Sequence, residues 1–123
     1  MTELTGKRIL VVDDHVTVRR MLCSLLVQQG FEVWDAADGS AGITKALEIS
    51  PDLIILDFAM PVMNGLEAAQ ALQLQMPLVP LLMFTNTVGV AMEQEARAVG
   101  IAALVSKSAT PTTLIAQVNA LLH

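Results

Sequence analysis

Five short apolar runs recur along the chain, at about 8–12, 31–36, 52–57, 79–85 and 102–106. Each gives way to polar or turn residues and then to a stretch with helical spacing. After the first run, Val18, Met21, Leu22, Leu25 and Leu26 share one helical face, and Gly30 supplies a stop. After the second, Ile43, Ala46 and Leu47 repeat the pattern more weakly, ended by Ser50-Pro51. A third helix is expected from Gly65 to about Met76, closed by Pro77, and an Ala-rich fourth over roughly 88–99, ended by Gly100. The fifth opens on Thr110-Pro111, an N-cap followed by proline at the first helical position, and its apolar face is Leu114, Val118, Leu121 and Leu122.

Strands alternating with helices of this length predict parallel βαβ units with right-handed crossovers. Five such units without a second repeat predict an open α/β sheet, helices on both faces, rather than a barrel. With no linker, low-complexity tract or internal repeat, residues 1–123 read as one domain.

Composition sharpens this picture. A hydrophobic fraction of 54% against 15% charged suits a sheet buried on both faces. The net charge of −5 lacks the basic footprint of nucleic-acid binding, so none is expected of this chain itself. The apolar run from Leu78 to Phe84 is too short to span a bilayer and contains Pro80, and the first residues lack a signal-like apolar core. A lone cysteine, Cys23, cannot form an internal disulfide, which points to a reducing, cytoplasmic setting.

The candidate chemistry lies at the carboxyl ends of the strands, where open parallel sheets keep their ligand crevice. Asp13 and Asp14 follow the first strand, Asp57 the third, Thr85 the fourth and Lys107 the fifth. Taken singly, each has an ordinary explanation: acids cap helices, and polar residues at strand ends serve turns. Their joint placement on one edge is what points to a site. Clustered carboxylates repel unless a divalent cation neutralises them, and Mg2+ prefers oxygen ligands and retains waters. With the metal in place, a carboxylate oxygen of Asp57 could attack a phosphoryl group, and Lys107 would offset charge on the phosphoryl oxygens. Thr85 would donate a hydrogen bond to the attached group. The product would be an aspartyl phosphate.

Four motifs, Ile9-Leu-Val-Val-Asp-Asp-His15, Leu56-Asp-Phe-Ala-Met-Pro-Val-Met-Asn-Gly65, Phe84-Thr85 and Val105-Ser-Lys107, resemble the receiver domains of two-component response regulators. The resemblance covers essentially the whole chain. It implies a flavodoxin-like (βα)5 sheet of strand order 2-1-3-4-5. It further implies a sensor histidine kinase, or a histidine phosphotransfer protein, as donor to Asp57. Asp14 would ligate Mg2+ directly, Asp13 largely through water, and Ala59 through its backbone carbonyl. Phosphorylation would alter the face of helix 4, strand 5 and helix 5, for an output partner or a homodimer.

Some positions depart from the family. Receivers usually carry Tyr or Phe three residues before the lysine, whereas this chain has Leu104 there and no Tyr at all. Many have Pro after the lysine, where this chain has Ser108. Asp13-Asp14-His15 with Lys107-Ser108 looks more like receivers attached to helix-turn-helix domains than like chemotaxis ones.

Elsewhere the expectations are plainer. His15, opening a helix, should face solvent rather than bind metal. Cys23 should be a buried small apolar residue, and Trp34 should lie on an edge strand. Arg19 and Arg20 should form a solvated face, with kinase contact the sharper reading, while Met60 and Met63 should sit at the rim of the site. Ala91, Ala98, Leu104 and Ala109 should leave the helix 4–strand 5–helix 5 face bare of charge.

Two other functions compete with a switch. An aspartate-nucleophile phosphatase generally needs an acid two residues after the nucleophile, and that position is Ala59. The chain is also too short to carry a substrate-shaping cap. A pseudo-receiver, a binding module that keeps the fold without the chemistry, is opposed by the intact acids, Thr85 and Lys107, and mildly favoured by Leu104.

Overall fold

The computed structural model describes residues 6–123, so the expectations about the first residues lie outside it. Strands β1 (Arg8–Val12), β2 (Glu32–Ala36), β3 (Leu53–Leu56), β4 (Leu81–Thr85) and β5 (Ala103–Ser106) form one parallel sheet in the order β2-β1-β3-β4-β5. Between and after them run α1 (Val16–Gln28), α2 (Gly39–Ile49), α3 (Gly65–Gln75), α4 (Val90–Ala98) and α5 (Pro111–Leu122). This is the expected flavodoxin-like fold.

Alternation along the strands divides the core in two. Leu10, Val12, Ile54, Leu56, Leu81 and Met83 belong to one buried cluster with residues of α2, α3 and α4. Ile9, Val11, Leu53, Ile55, Leu82 and Phe84 belong to the other, with Leu22 and Leu26 of α1 and Leu114 and Val118 of α5. Successive side chains point to opposite faces of a strand, so continuous apolar runs such as Leu53–Leu56 feed both layers at once.

The elements are slightly shorter than the apolar runs, for local reasons. Phe31 gives its N–H to the Leu26 carbonyl in the cap of α1, so β2 begins one residue later. Val79 donates to Met76 in a turn and Pro80 has no N–H to give, so β4 begins at Leu81. Gly89 has φ 130°, which holds α4 to Val90–Ala98 instead of 88–99. The Thr110 cap is as expected, its side chain accepting from the Thr113 N–H at 3.2 Å.

Candidate functional site

Three backbone hydrogen bonds carry the ladder past the last strand residues and bring the site together. Asp13 N–H donates to Ala36 O (3.1 Å), Asp57 N–H to Val12 O (3.0 Å) and Lys107 N–H to Thr85 O (3.0 Å). Asp13, Asp57, Thr85 and Lys107 are therefore fixed by sheet register at one edge. Asp13, Asp57 and Thr85 are buried polar groups at the carboxyl ends of β1, β3 and β4.

Lys107 holds the acids. Its Nζ lies 2.9 Å from Asp13 Oδ2 and 3.0 Å from Asp57 Oδ2, with its side chain only 8% exposed. Burial works against the ammonium, but hydrogen bonds to Asp13 and Asp57, and then their charges, outweigh it and raise its pKa above the ordinary value. Thr85 Oγ1 accepts from the Thr87 N–H at 3.2 Å, which leaves the hydroxyl proton free to donate.

Neither acid of the Asp13-Asp14 pair caps α1. The N-cap is His15, without a side-chain cap bond, while Asp13 Oδ1 accepts the His15 N–H at 2.8 Å within the β1–α1 turn. His15 is exposed as expected, at 61% of its side chain, yet its ring also leans over the acids. Nδ1 stands 3.4 Å from Asp13 Oδ1, 3.3 Å from Asp14 Oδ1 and 3.9 Å from Asp57 Oδ2. One ligand atom from each of Asp13, Asp14, His15 and Asp57 lies within 4.8 Å of every other. The three carboxylates are the hard oxygen donors that Mg2+ takes, so the residues present fit that ion. Ala59, two residues after Asp57, is exposed.

Several expectations need correction. Arg19 is not a solvated residue: its Nε donates to Asp35 Oδ2 at 3.0 Å and its Nη1 to the Asp13 carbonyl at 2.7 Å. It thereby ties α1 and edge strand β2 to the backbone of the acidic turn, and only Arg20 is exposed. Met60 is buried in the core and Met63 half-buried, and the large apolar residue that this loop exposes is Val62. Its φ of 69° is left-handed, a conformation costly for a β-branched side chain. The sequence reading missed it because Val carries no turn signal. Cys23 is half-buried against the α1–α5 layer rather than fully enclosed. Trp34 does lie on edge strand β2, with the Arg8 guanidinium carbon 5.8 Å from its ring centre.

The face built from α4, β5 and α5 is not bare of charge. A groove there is lined by Val88, Val90, Glu93, Arg97, Leu104 and Gln117 among others, and Arg97 Nη2 pairs with Glu93 Oε1 at 3.2 Å. Leu104 is half-buried and packs against the α2–α3–α4 layer. No described helix is long and apolar enough to cross a membrane.

Known proteins match this architecture. The model of the response regulator receiver domain family matches residues 9–119. The chain is 37% identical over 119 residues to a DNA-binding response regulator, MtrA, of Mycolicibacterium smegmatis, covering 95% of this chain and 51% of that protein. It thus spans about half the length of such curated relatives. Among solved structures, the chemotaxis protein CheY4 of Vibrio cholerae superposes with a TM-score of 0.91 at 35% identity, over 96% of this chain and all of that one. A LuxR-family response regulator from Aurantimonas gives the same TM-score at 30% identity, over 96% of this chain and 86% of that one. Receiver domains of this family are signalling domains that use Mg2+ at an acidic pocket and interact with histidine kinases and output domains. By sequence, by fold and by the residues gathered at the sheet edge, this chain belongs to the family of response regulator receiver domains.

Proposed function

We propose that the chain is a phosphorylation-dependent switch that accepts a phosphoryl group on Asp57. The observation that carries this reading is the Lys107 ammonium bridging Asp13 and Asp57 at 2.9 and 3.0 Å, with Asp57 buried at the strand edge. A carboxylate oxygen of Asp57 attacks phosphorus, and the N–P bond of a donor phosphohistidine breaks, leaving the imidazole on a sensor histidine kinase or a histidine phosphotransfer protein. Bound by Asp13, Asp14, Asp57 and the Ala59 carbonyl, Mg2+ would supply neutralising charge for the acids and the transferred oxygens. Lys107 exchanges one carboxylate partner for a phosphoryl oxygen, and the free Thr85 proton hydrogen-bonds another. Ser106, which lines the α4–β5–α5 groove, pairs in register with Thr85 and directly precedes Lys107, so this closure biases the groove toward an output partner or a second copy of the chain. Leu104 makes the readout one of aliphatic packing, without the aromatic swing usual in the family. The chemistry is a single covalent event on the chain itself rather than turnover of a substrate. The reading places the chain in the cytoplasm, with Cys23 reduced.

The test compares wild type with Asp57→Asn after addition of acetyl phosphate and Mg2+, read by intact mass and sizing chromatography. One phosphoryl mass on the wild type alone is expected, and a simultaneous change in size would identify dimerisation as the output. If wild type gains no mass and beryllofluoride leaves its spectrum unchanged, the pseudo-receiver reading replaces this one.

A further inference from the structure

His15 stands apart from the reading above, which uses the acids, Thr85 and Lys107 but gives the imidazole no part. The ring is not held by packing, since its side chain is 61% exposed. Nor does it cap α1, whose N-cap side-chain bond is missing. Its Nδ1 instead sits 3.3 Å from Asp14 Oδ1 and 3.4 Å from Asp13 Oδ1. Two ligands each about 2.1 Å from one ion lie about 3.0 Å apart at right angles and about 3.4 Å apart at a tetrahedral angle. The two observed spacings match those of neighbouring ligands on a single cation, and the ligand atoms of Asp13, Asp14 and His15 all lie within 4.8 Å of one another.

Lys107 already engages Oδ2 of Asp13 and of Asp57. The oxygens nearest His15 Nδ1 are Oδ1 of Asp14 and Oδ1 of Asp13, the latter also accepting the His15 N–H, and neither is an oxygen that Lys107 engages. A nitrogen donor there changes the selectivity of the site. Mg2+ gains little from imidazole, whereas late first-row ions bind mixed nitrogen and oxygen sites far more tightly.

We propose that His15 is a specificity-determining ligand of the acidic pocket, its Nδ1 joining Asp13 and Asp14 around a divalent ion and tilting the site toward ions such as Co2+ and Ni2+. This inference rests on the reading of Asp13, Asp14 and Asp57 as a metal pocket. The neutral ring would bind through Nδ1 and carry its proton on Nε2.

The test is calorimetric titration of the metal-free chain with CoCl2 and, separately, MgCl2, for wild type, His15→Ala and His15→Asn. Asn is a favoured N-cap residue and keeps α1 intact if Ala does not. Both variants should bind Co2+ at least about tenfold more weakly, with Mg2+ affinity changed by less than about twofold. In NMR spectra, substoichiometric Co2+ should shift or broaden the His15 ring signals and leave those of His123, the other histidine, in place. Equal losses for both ions, no loss for either, or unperturbed His15 signals would overturn the proposal. A wild type that binds Co2+ through His15 but not Mg2+ sinks the Mg2+ reading and leaves the role of His15 standing. A wild type that binds neither ion overturns both.

Discussion

Gly65, the first residue of α3, lies directly against the backbone of Asp57. A Cβ built on Gly65 would collide with the Asp57 carbonyl oxygen and stand 2.9 Å from the Phe58 Cα. The two segments are held together by Gly65 N–H donating to Phe58 O at 2.8 Å. The helix is anchored there by a capping box, Asn64 accepting from the Glu67 N–H and Glu67 from the Asn64 N–H, each at 2.9 Å. The start of α3 is thus pressed onto the backbone that follows β3, and the position of Asp57 depends on that contact.

Gly65→Ala is accordingly expected to destabilise the fold by about 2–3 kcal/mol, because the obstacle is backbone and cannot rotate away. Urea unfolding measures the loss. A cost below about 0.5 kcal/mol would mean that the α3 N-terminus shifts freely, and that Asp57 is not held by it.

Lys107→Met removes the one cation between Asp13 and Asp57 and leaves both carboxylates facing each other. A loss of about 2–4 kcal/mol is expected in metal-free buffer. Saturating Mg2+ should raise Tm more in the variant than in the wild type, since it replaces the missing positive charge. The pH dependence follows from the raised pKa of Lys107. Its folded-state value exceeds the unfolded one, so its contribution is complete below the ordinary lysine range and lost as pH rises through the folded value. Wild type should therefore show a fall in stability above about pH 10.5 that Lys107→Met lacks. Parallel curves for the two proteins would remove Lys107 from the account.

Val62 holds a left-handed backbone while its side chain is fully exposed, so nothing it touches offsets the strain. Val62→Gly relieves about 1–2 kcal/mol of strain and costs roughly half of that in unfolded-state entropy, for a net gain of about 0.5–1 kcal/mol. Val62→Pro, whose ring forbids positive φ, should be destabilising. Thermal unfolding of the pair distinguishes strain from a simple surface effect: if both changes move Tm the same way, backbone strain is not the cause.

Burial, and then the charge of Asp35, push the Cys23 thiol up to about 11, with Arg19 opposing. At pH 8 its thiolate fraction falls roughly 100-fold below that of a free cysteine. Alkylation by iodoacetamide should be at least about tenfold slower than for free cysteine, and should accelerate as pH rises beyond the usual thiol range. Arg19→Ala should slow it further, by removing the one charge that favours the thiolate. Reaction at the rate of a free cysteine would contradict this placement.

The apolar runs and the turn residues between them determined the fold. Runs of five to seven residues cannot be helices that bury a face, and alternation with helical stretches leaves a parallel sheet as the way to satisfy their backbone. The caps at Thr110 and Asn64 act through neighbours three residues away, so they too can be read along the chain. The gathering of Asp13, Asp57, Thr85 and Lys107 was legible for the same reason, because each follows an apolar run and register does the rest. What the chain could not disclose are the relations set by side-chain reach and rotamer across elements. Arg19 crosses from α1 to Asp35 and to the Asp13 carbonyl, where an arginine in a helical pattern otherwise reads as surface. His15 turns toward the acids though its position announces only a helix start. Glu93 and Arg97 place a charged pair on a face that its alanines and leucine describe as apolar. Periodicity reports which way a residue points from its own element, and only tertiary packing decides what it meets there.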